Sequence, residues 1–366
     1  MSLLVANQNP APAPKTAAAP ARVVSLTVQP RPGETLPELC RRLAAETREQ
    51  GATPLHLQAF GDCRASAAAT DALRTAFARV DWPVTWVQGA ACGGQPIAGL
   101  QLHAFTGRVD RVHLGGRVTG SVFTDGGARQ CLLGGFMPAN PALARADQTR
   151  QTIEDLQTAL AAAGFDLSDA VRTWFFLEDI LSWYGDFNRA RTKIYSGVKF
   201  RTGSLPASTG VGGKNPSGGA LALAAWALRP LEQNSYAEEV ASPLQCPAPA
   251  YGSAFSRAME IATSGGRRLF ISGTASIEPG GKTAWVGDVR QQVRLTMDVV
   301  DAILRSRRFA FTDLARGTAY FRRPADLSVW AEWLAANHLS HLPIVPAQCD
   351  VCRDDLLFEL EAEAAA

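Results

Sequence analysis

Along the middle of the chain the apolar positions change period in a fixed order. Over residues 148–163 they recur at helical spacing, and Gly164 supplies the stop. Residues 171–177 read Val-Arg-Thr-Trp-Phe-Phe-Leu, a β-branched and aromatic run that predicts a strand, and 186–195 suits a second helix. Strands are then expected over 207–213 and 219–228, joined by the turn-forming Lys214-Asn215-Pro216-Ser217.

The same order returns in the last third. The pattern predicts a helix over 290–304, a strand over 314–321, a helix over 327–336, and a closing strand pair over 345–351 and 356–362. A fainter copy runs through 36–50, 53–60, 67–77, 83–89 and 97–105. The segment 268–277 opens the last copy as a hairpin-like strand, followed by the turn signal Pro279-Gly280-Gly281. Units of about 120 residues then account for the length, which is a repeat reading. Mixed or antiparallel sheets with helices on one face are the natural packing, an α+β class.

Composition narrows the function. With 46% apolar and 19% charged residues among 366, the chain can bury a large core. Its 36 basic and 34 acidic residues are spread without a basic face, so no nucleic-acid partner is expected. No run of about 18 consecutive apolar residues occurs, so no membrane span is expected either. The opening stretch is rich in Pro and Ala and reads as a disordered tail over 1–30 rather than a signal peptide. Seven cysteines suit a reducing cytoplasm better than a disulfide framework. Cys349 and Cys352 form a lone C-x-x-C with histidines far away in sequence, so neither metal nor cofactor is expected.

The last repeat resembles the YjgF-type deaminase family. Tyr251-Gly252-Ser253-Ala254 is similar to that family's opening motif, 269–276 to its Phe-Val-Ser-Gly strand, and Leu357-Phe358-Glu359-Leu360-Glu361 to its closing strand. From about Val112 onward the chain resembles the chorismatases more narrowly. The carrying segments are 174–180, 183–189, 206–213, 272–276 and 349–359. The resemblance implies three fused YjgF-like (chorismate-mutase-like) units in a pseudo-trimer, with a tail over 1–30 and units over 31–108, 109–230 and 231–366. It also implies a monomer, since the trimer interfaces are used within one chain, and chorismate as the small-molecule substrate.

Releasing pyruvate from chorismate requires protonating the methylene carbon of its enol ether, so the site needs a carboxylic acid held neutral at about pH 7. Strand alternation puts Phe358 and Leu360 on one face and Glu359 and Glu361 on the other, where an apolar cleft would raise a carboxyl pKa. The corresponding strand of the middle repeat is apolar at both glutamate positions, consistent with one main active site. Periodicity alone leaves Glu359 open as an ordinary solvent-facing carboxylate, as it does Glu361; the resemblance makes Glu359 the acid.

The two substrate carboxylates call for arginines. Arg191 and Arg189 are the candidates, Arg191 slightly ahead, and either could be a solvated helix residue. Thr209, Gly210, Gly212 and Gly213 offer a strand end whose N–H groups could hold a carboxylate, or else a β-bulge. Tyr251 is a phenol at the start of the third repeat, with a core-packed tyrosine as the plain alternative. The resemblance extends substrate binding to Gly273 and Ala275. Cys352, taken with Glu359 as a catalytic residue, resembles the cysteine of the benzoate-forming chorismatases and implies 3-hydroxybenzoate as the product, with 4-hydroxybenzoate and a dihydroxycyclohexadienoate left open; a buried structural cysteine is the alternative. An imine deaminase would want an arginine where this chain reads Pro206-Ala207-Ser208-Thr209 and Pro346-Ala347-Gln348-Cys349. A non-catalytic binding protein on the same scaffold remains the other rival.

Overall fold

The computed structural model describes residues 21–91 and 95–366. The first unit contains β1 (Val23–Val28), α1 (Leu36–Glu49), β2 (Thr53–Gly61), α2 (Ser66–Phe77), β3 (Val84–Gln88), β4 (Ala90–Ala91) and β5 (Ile97–Phe105). The second contains β6 (Asp110–Leu114), β7 (Arg117–Asp125), β8 (Ala128–Phe136), α3 (Arg145–Ala162), β9 (Ala170–Leu177), α4 (Ile180–Tyr195), β10 (Ala207–Gly212) and β11 (Leu221–Pro230). The third contains β12 (Tyr236–Val240), β13 (Ala258–Thr263), β14 (Gly266–Ala275), α5 (Val289–Ser306), β15 (Leu314–Phe321), α6 (Leu327–Ala336), β16 (Ile344–Gln348) and β17 (Phe358–Ala365).

The sheets run β3-β2-β5-β1, β10-β9-β11-β8-β7-β6 and β4-β16-β15-β17-β14-β13-β12. Each has the same centre: one parallel pair (β2 with β3, β9 with β10, β15 with β16) and an antiparallel neighbour on the other side (β5, β11, β17). The architecture is therefore α+β, with one strand arrangement repeated in three successive units of a single chain. The first sheet is the shortest, stopping at β1 where the others continue into further strands.

Three expectations are corrected. Residues 23–28 are not tail: the alternating Val-Val-Ser-Leu-Thr-Val pairs along the free edge of β5 as β1; residues 1–20 of that expectation lie outside the described residues. The strands over 207–213 and 219–228, and those over 345–351 and 356–362, do not pair with each other. In each case the central strand, β9 or β15, lies between them, and the connection crosses over it. Finally, α4 starts at Ile180 rather than 186, because its buried stripe of Ile180, Trp183, Phe187, Arg191 and Tyr195 continues through Gly185.

Each unit has its own core between sheet and helices, and the opposite sheet faces meet in a shared core. Ring centroids of Phe176 and Tyr320 each lie 6.0 Å from that of Phe60, edge to face. Strand register shows that these three rings are equivalent, since Phe60 pairs with Gly99, Phe176 with Ala222 and Tyr320 with Glu359. Among the described residues, no helix is long and apolar enough to cross a membrane.

Candidate active site

β17 alternates as its sequence predicts. Phe358, Leu360, Ala362 and Ala364 face α5 and α6, while Glu359, Glu361 and Glu363 face inward and are 3–4% exposed. The three carboxyls meet different partners. Glu363 binds Arg268 and His103. Glu361 accepts from Arg172 Nη2 at 2.7 Å and Thr209 Oγ1 at 2.6 Å. Among the described residues no hydrogen bond or ion pair engages Glu359, whose carboxyl faces a cleft of about 610 Å³ between the second and third units.

The cleft is built from α4 and β10 on one side and β14, β17 and the loop before β17 on the other. A bulge shapes its floor: the β14–β17 register passes from Ile271↔Ala362 to Thr274↔Leu360, so Ser272 and Gly273 stand opposite one residue. Gly273 then lies directly under the Glu359 carboxyl. Burial, reinforced by the Glu361 charge and opposed by Arg172 and Arg257, pushes the Glu359 pKa up to about 8. The acid is therefore held mainly protonated at neutral pH.

Of the expected site residues, Glu359, Cys352, Arg191, Arg189, Tyr251, Gly273 and Ala275 all line this cleft. Arg191 is 1% exposed; its Nη2 donates to Asn188 at 2.7 Å, and its Nε has no partner. Arg189 sits at the rim, its side chain 75% exposed and paired with Asp186. The Cys352 thiol is pushed up to about 12, chiefly by burial and then by Glu359, so it is a neutral wall packed with Ala275, Ile277 and Leu356 rather than a thiolate.

Thr209, Gly212 and Gly213 are corrected. Thr209 is fully buried, and its hydroxyl is taken up by Glu361, Arg172 and the Gly273 N–H. The Gly212 N–H donates to Asp350 O at 2.7 Å and the Gly213 N–H to Leu177 O at 2.9 Å, leaving neither for a ligand. These glycines serve close packing instead: a Cβ would lie 2.7 Å from Asp350 Cβ or 2.6 Å from Val87 Cγ1 respectively. Glu361 is likewise no solvent-facing carboxylate.

Sequence reasoning missed Arg257. This residue is 3% exposed, its guanidinium lies 5.3 Å from the Tyr251 ring centroid, and its buried Nη2 has no partner. Nothing local in Ser256-Arg257-Ala258 distinguishes it. The cleft is thus a partly apolar chamber with a protonated carboxyl on its floor and two buried guanidiniums carrying unused N–H groups, a set suited to an anionic ligand that must receive a proton. Strand register explains why one such chamber forms. The positions equivalent to Glu359 are Ala222 and Gly99, and at Gly99 a Cβ would already lie 2.6 Å from Val345 Cγ2. Among the described residues no group of His, Cys, Asp or Glu is placed to hold a metal ion.

No family model matches the chain. It is 29% identical over 224 residues to a 3-hydroxybenzoate synthase of Streptomyces hygroscopicus, a match covering 54% of this chain and 64% of that relative. It is 27% identical over 239 residues to a chorismatase of the same organism, covering 60% of this chain and 68% of the relative. A chorismatase crystal structure shares the fold over 95% of this chain and 100% of its own, with a TM-score of 0.69 and 19% identity. In sequence the chain is thus similar to two relatives named as chorismate-converting enzymes, over about two thirds of their length, and it shares the chorismatase fold over nearly its whole length.

Proposed function

We propose that the protein cleaves chorismate to pyruvate and a hydroxybenzoate, with 3-hydroxybenzoate as the product. The observation that carries this reading is Glu359, a buried carboxyl with a pKa of about 8 facing a chamber that holds Arg191 and Arg257. The names of the matched relatives point the same way.

In this reading the two arginines bind the substrate carboxylates. Glu359 delivers its proton to the methylene carbon of the enol ether. The bond from the ring carbon to the ether oxygen breaks, and its electron pair completes the keto group of pyruvate. The neighbouring ring hydroxyl oxygen bonds to that ring carbon and gives up its proton, which restores Glu359. The other carbon–oxygen bond then opens as the ring loses a C–H proton and the oxygen gains one, giving the aromatic phenol. Atoms balance without added water or an oxidant. Water reaching the reacting carbon would divert the reaction to a dihydroxycyclohexadienoate, so the neutral, apolar wall around Cys352 favours the aromatic outcome.

Purified protein incubated with chorismate should yield pyruvate and 3-hydroxybenzoate in equal amounts by chromatography and mass spectrometry. A product heavier by one water assigns the hydrolytic branch, and no consumption of chorismate removes the proposal.

A further inference from the structure

The proposed chemistry leaves Glu361 unused, although it is 3% exposed and two residues from the acid on the same strand face. Its Oε2 accepts from Arg172 and Thr209, and its Oε1 lies 3.5 Å from Arg316 Nη2 and 3.3 Å from Thr318 Oγ1. The equivalent residues of the other units are Ala224 and Gln101, so the scaffold itself does not require a carboxylate here. Thr209 carries the connection onward. Its oxygen also accepts the Gly273 N–H at 3.1 Å, and Gly273 is the residue against which the Glu359 carboxyl rests. A continuous path thus runs from Arg172 in the second unit through Glu361 and Thr209 to the bulge beneath the acid.

We propose that Glu361 is a positioning residue for Glu359: anchored by Arg172 and Arg316, it orients Thr209, which holds the Gly273 bulge under the acid. The proposal rests on reading Glu359 as the proton donor. Of the two carboxyls Glu361 is the one held by guanidiniums, while Glu359 faces the open cleft. The groups facing Glu359 from other elements are Arg172 of β9, Arg257 just before β13, Tyr184 and Arg191 of α4, and Tyr251 and Cys352 of the connecting segments. Tyr320 and Arg316 of β15 face Glu361. Burial is the main influence that keeps Glu359 protonated and the Glu361 charge adds to it, while Arg172 and Arg257 favour the ionised form.

The test compares Glu361→Gln, Thr209→Val and Thr209→Ser. In Glu361→Gln the alkaline limb of the kcat profile should move down by about one pH unit or more, while KM for chorismate stays within about twofold. Thr209→Val should lower kcat about tenfold without moving the limb, and Thr209→Ser should restore it. Infrared titration of the ligand-free protein gives a reading independent of turnover. The protonated-carboxyl band that disappears in Glu359→Gln should titrate at lower pH in Glu361→Gln. An unmoved limb and an unmoved infrared midpoint, with only a uniform loss of kcat or of Tm, overturn the proposal. Should Glu361→Gln fail to fold, wild-type kcat in Thr209→Val overturns it instead. A shifted midpoint in a protein whose Glu359→Gln variant still turns chorismate over would keep the coupling and remove the proposed function, so the two failures read differently.

Discussion

Gly273 and Glu359 leave no room for a methyl group between them, since a Cβ on Gly273 would lie 2.1 Å from Glu359 Oε1. The obstructing atom is the end of a side chain facing an open cleft, so the carboxyl can swing aside at little cost to the fold. Gly273→Ala should therefore keep a near-wild-type Tm but displace the acid, lowering kcat by about 100-fold, the scale expected for a misplacement of roughly 1 Å. Steady-state kinetics and thermal denaturation on the same preparation check this; an unchanged kcat would show that the acid needs no fixed position.

Glu359→Gln keeps the shape of the side chain but has no proton to deliver. Pyruvate release, followed by a coupled assay, should fall about 100-fold or more, while chorismate binding measured by calorimetry persists. Glu361→Gln is unsuitable as the control, because breaking a buried ion pair costs about 3–5 kcal/mol. Glu332→Gln serves instead, since Glu332 is 60% exposed on α6 and does not line the cleft.

Raising the Glu359 pKa from 4.5 to about 8 has a sign that can be measured. Between those values the native protein holds a proton that the unfolded chain has released, so this group's contribution lowers stability as pH rises through the window. Glu359→Gln lacks that slope. The Tm of the variant should gain on wild type from pH 4.5 up to about pH 8 and then level off. For the same reason kcat/KM of the wild type should fall as pH rises through about 8.

Burial separates the two candidate arginines of α4. Arg191→Ala should raise KM for chorismate, at a cost of about 2–4 kcal/mol for losing a charge-assisted pair in a buried site. Arg189→Ala, removing an exposed side chain, should change kinetics by no more than about twofold. Arg257→Ala should resemble Arg191→Ala; a wild-type KM in either would move the carboxylate site elsewhere.

Much of the fold was legible locally. The helix and strand periods over α3, β9, α5, β15 and α6 are strong because each element has one face on a core, and burial is what writes a period into a sequence. Arg191 carried a signal of its own, an arginine at every-fourth-residue spacing with Trp183 and Phe187. Arg172 carried another, as the one charged residue of a mainly apolar strand where only a buried partner makes a charge tolerable. Strand neighbours were not legible, because the alternation that marks β10 and β11 is the same whether they pair with each other or on opposite sides of β9.

By itself the sequence determined the unit, its repetition, and the face of β17 on which Glu359 and Glu361 lie, since all three follow from periods within short segments. Only the tertiary structure decided what each inward carboxyl meets: guanidiniums and a hydroxyl for Glu361, an open cleft for Glu359. It also turned Thr209 away from the cleft and brought Arg257 into it. Charge and protonation depend on neighbours contributed by other units, such as Arg172 and Arg257 around β17, and no periodicity along a single strand records who those neighbours are.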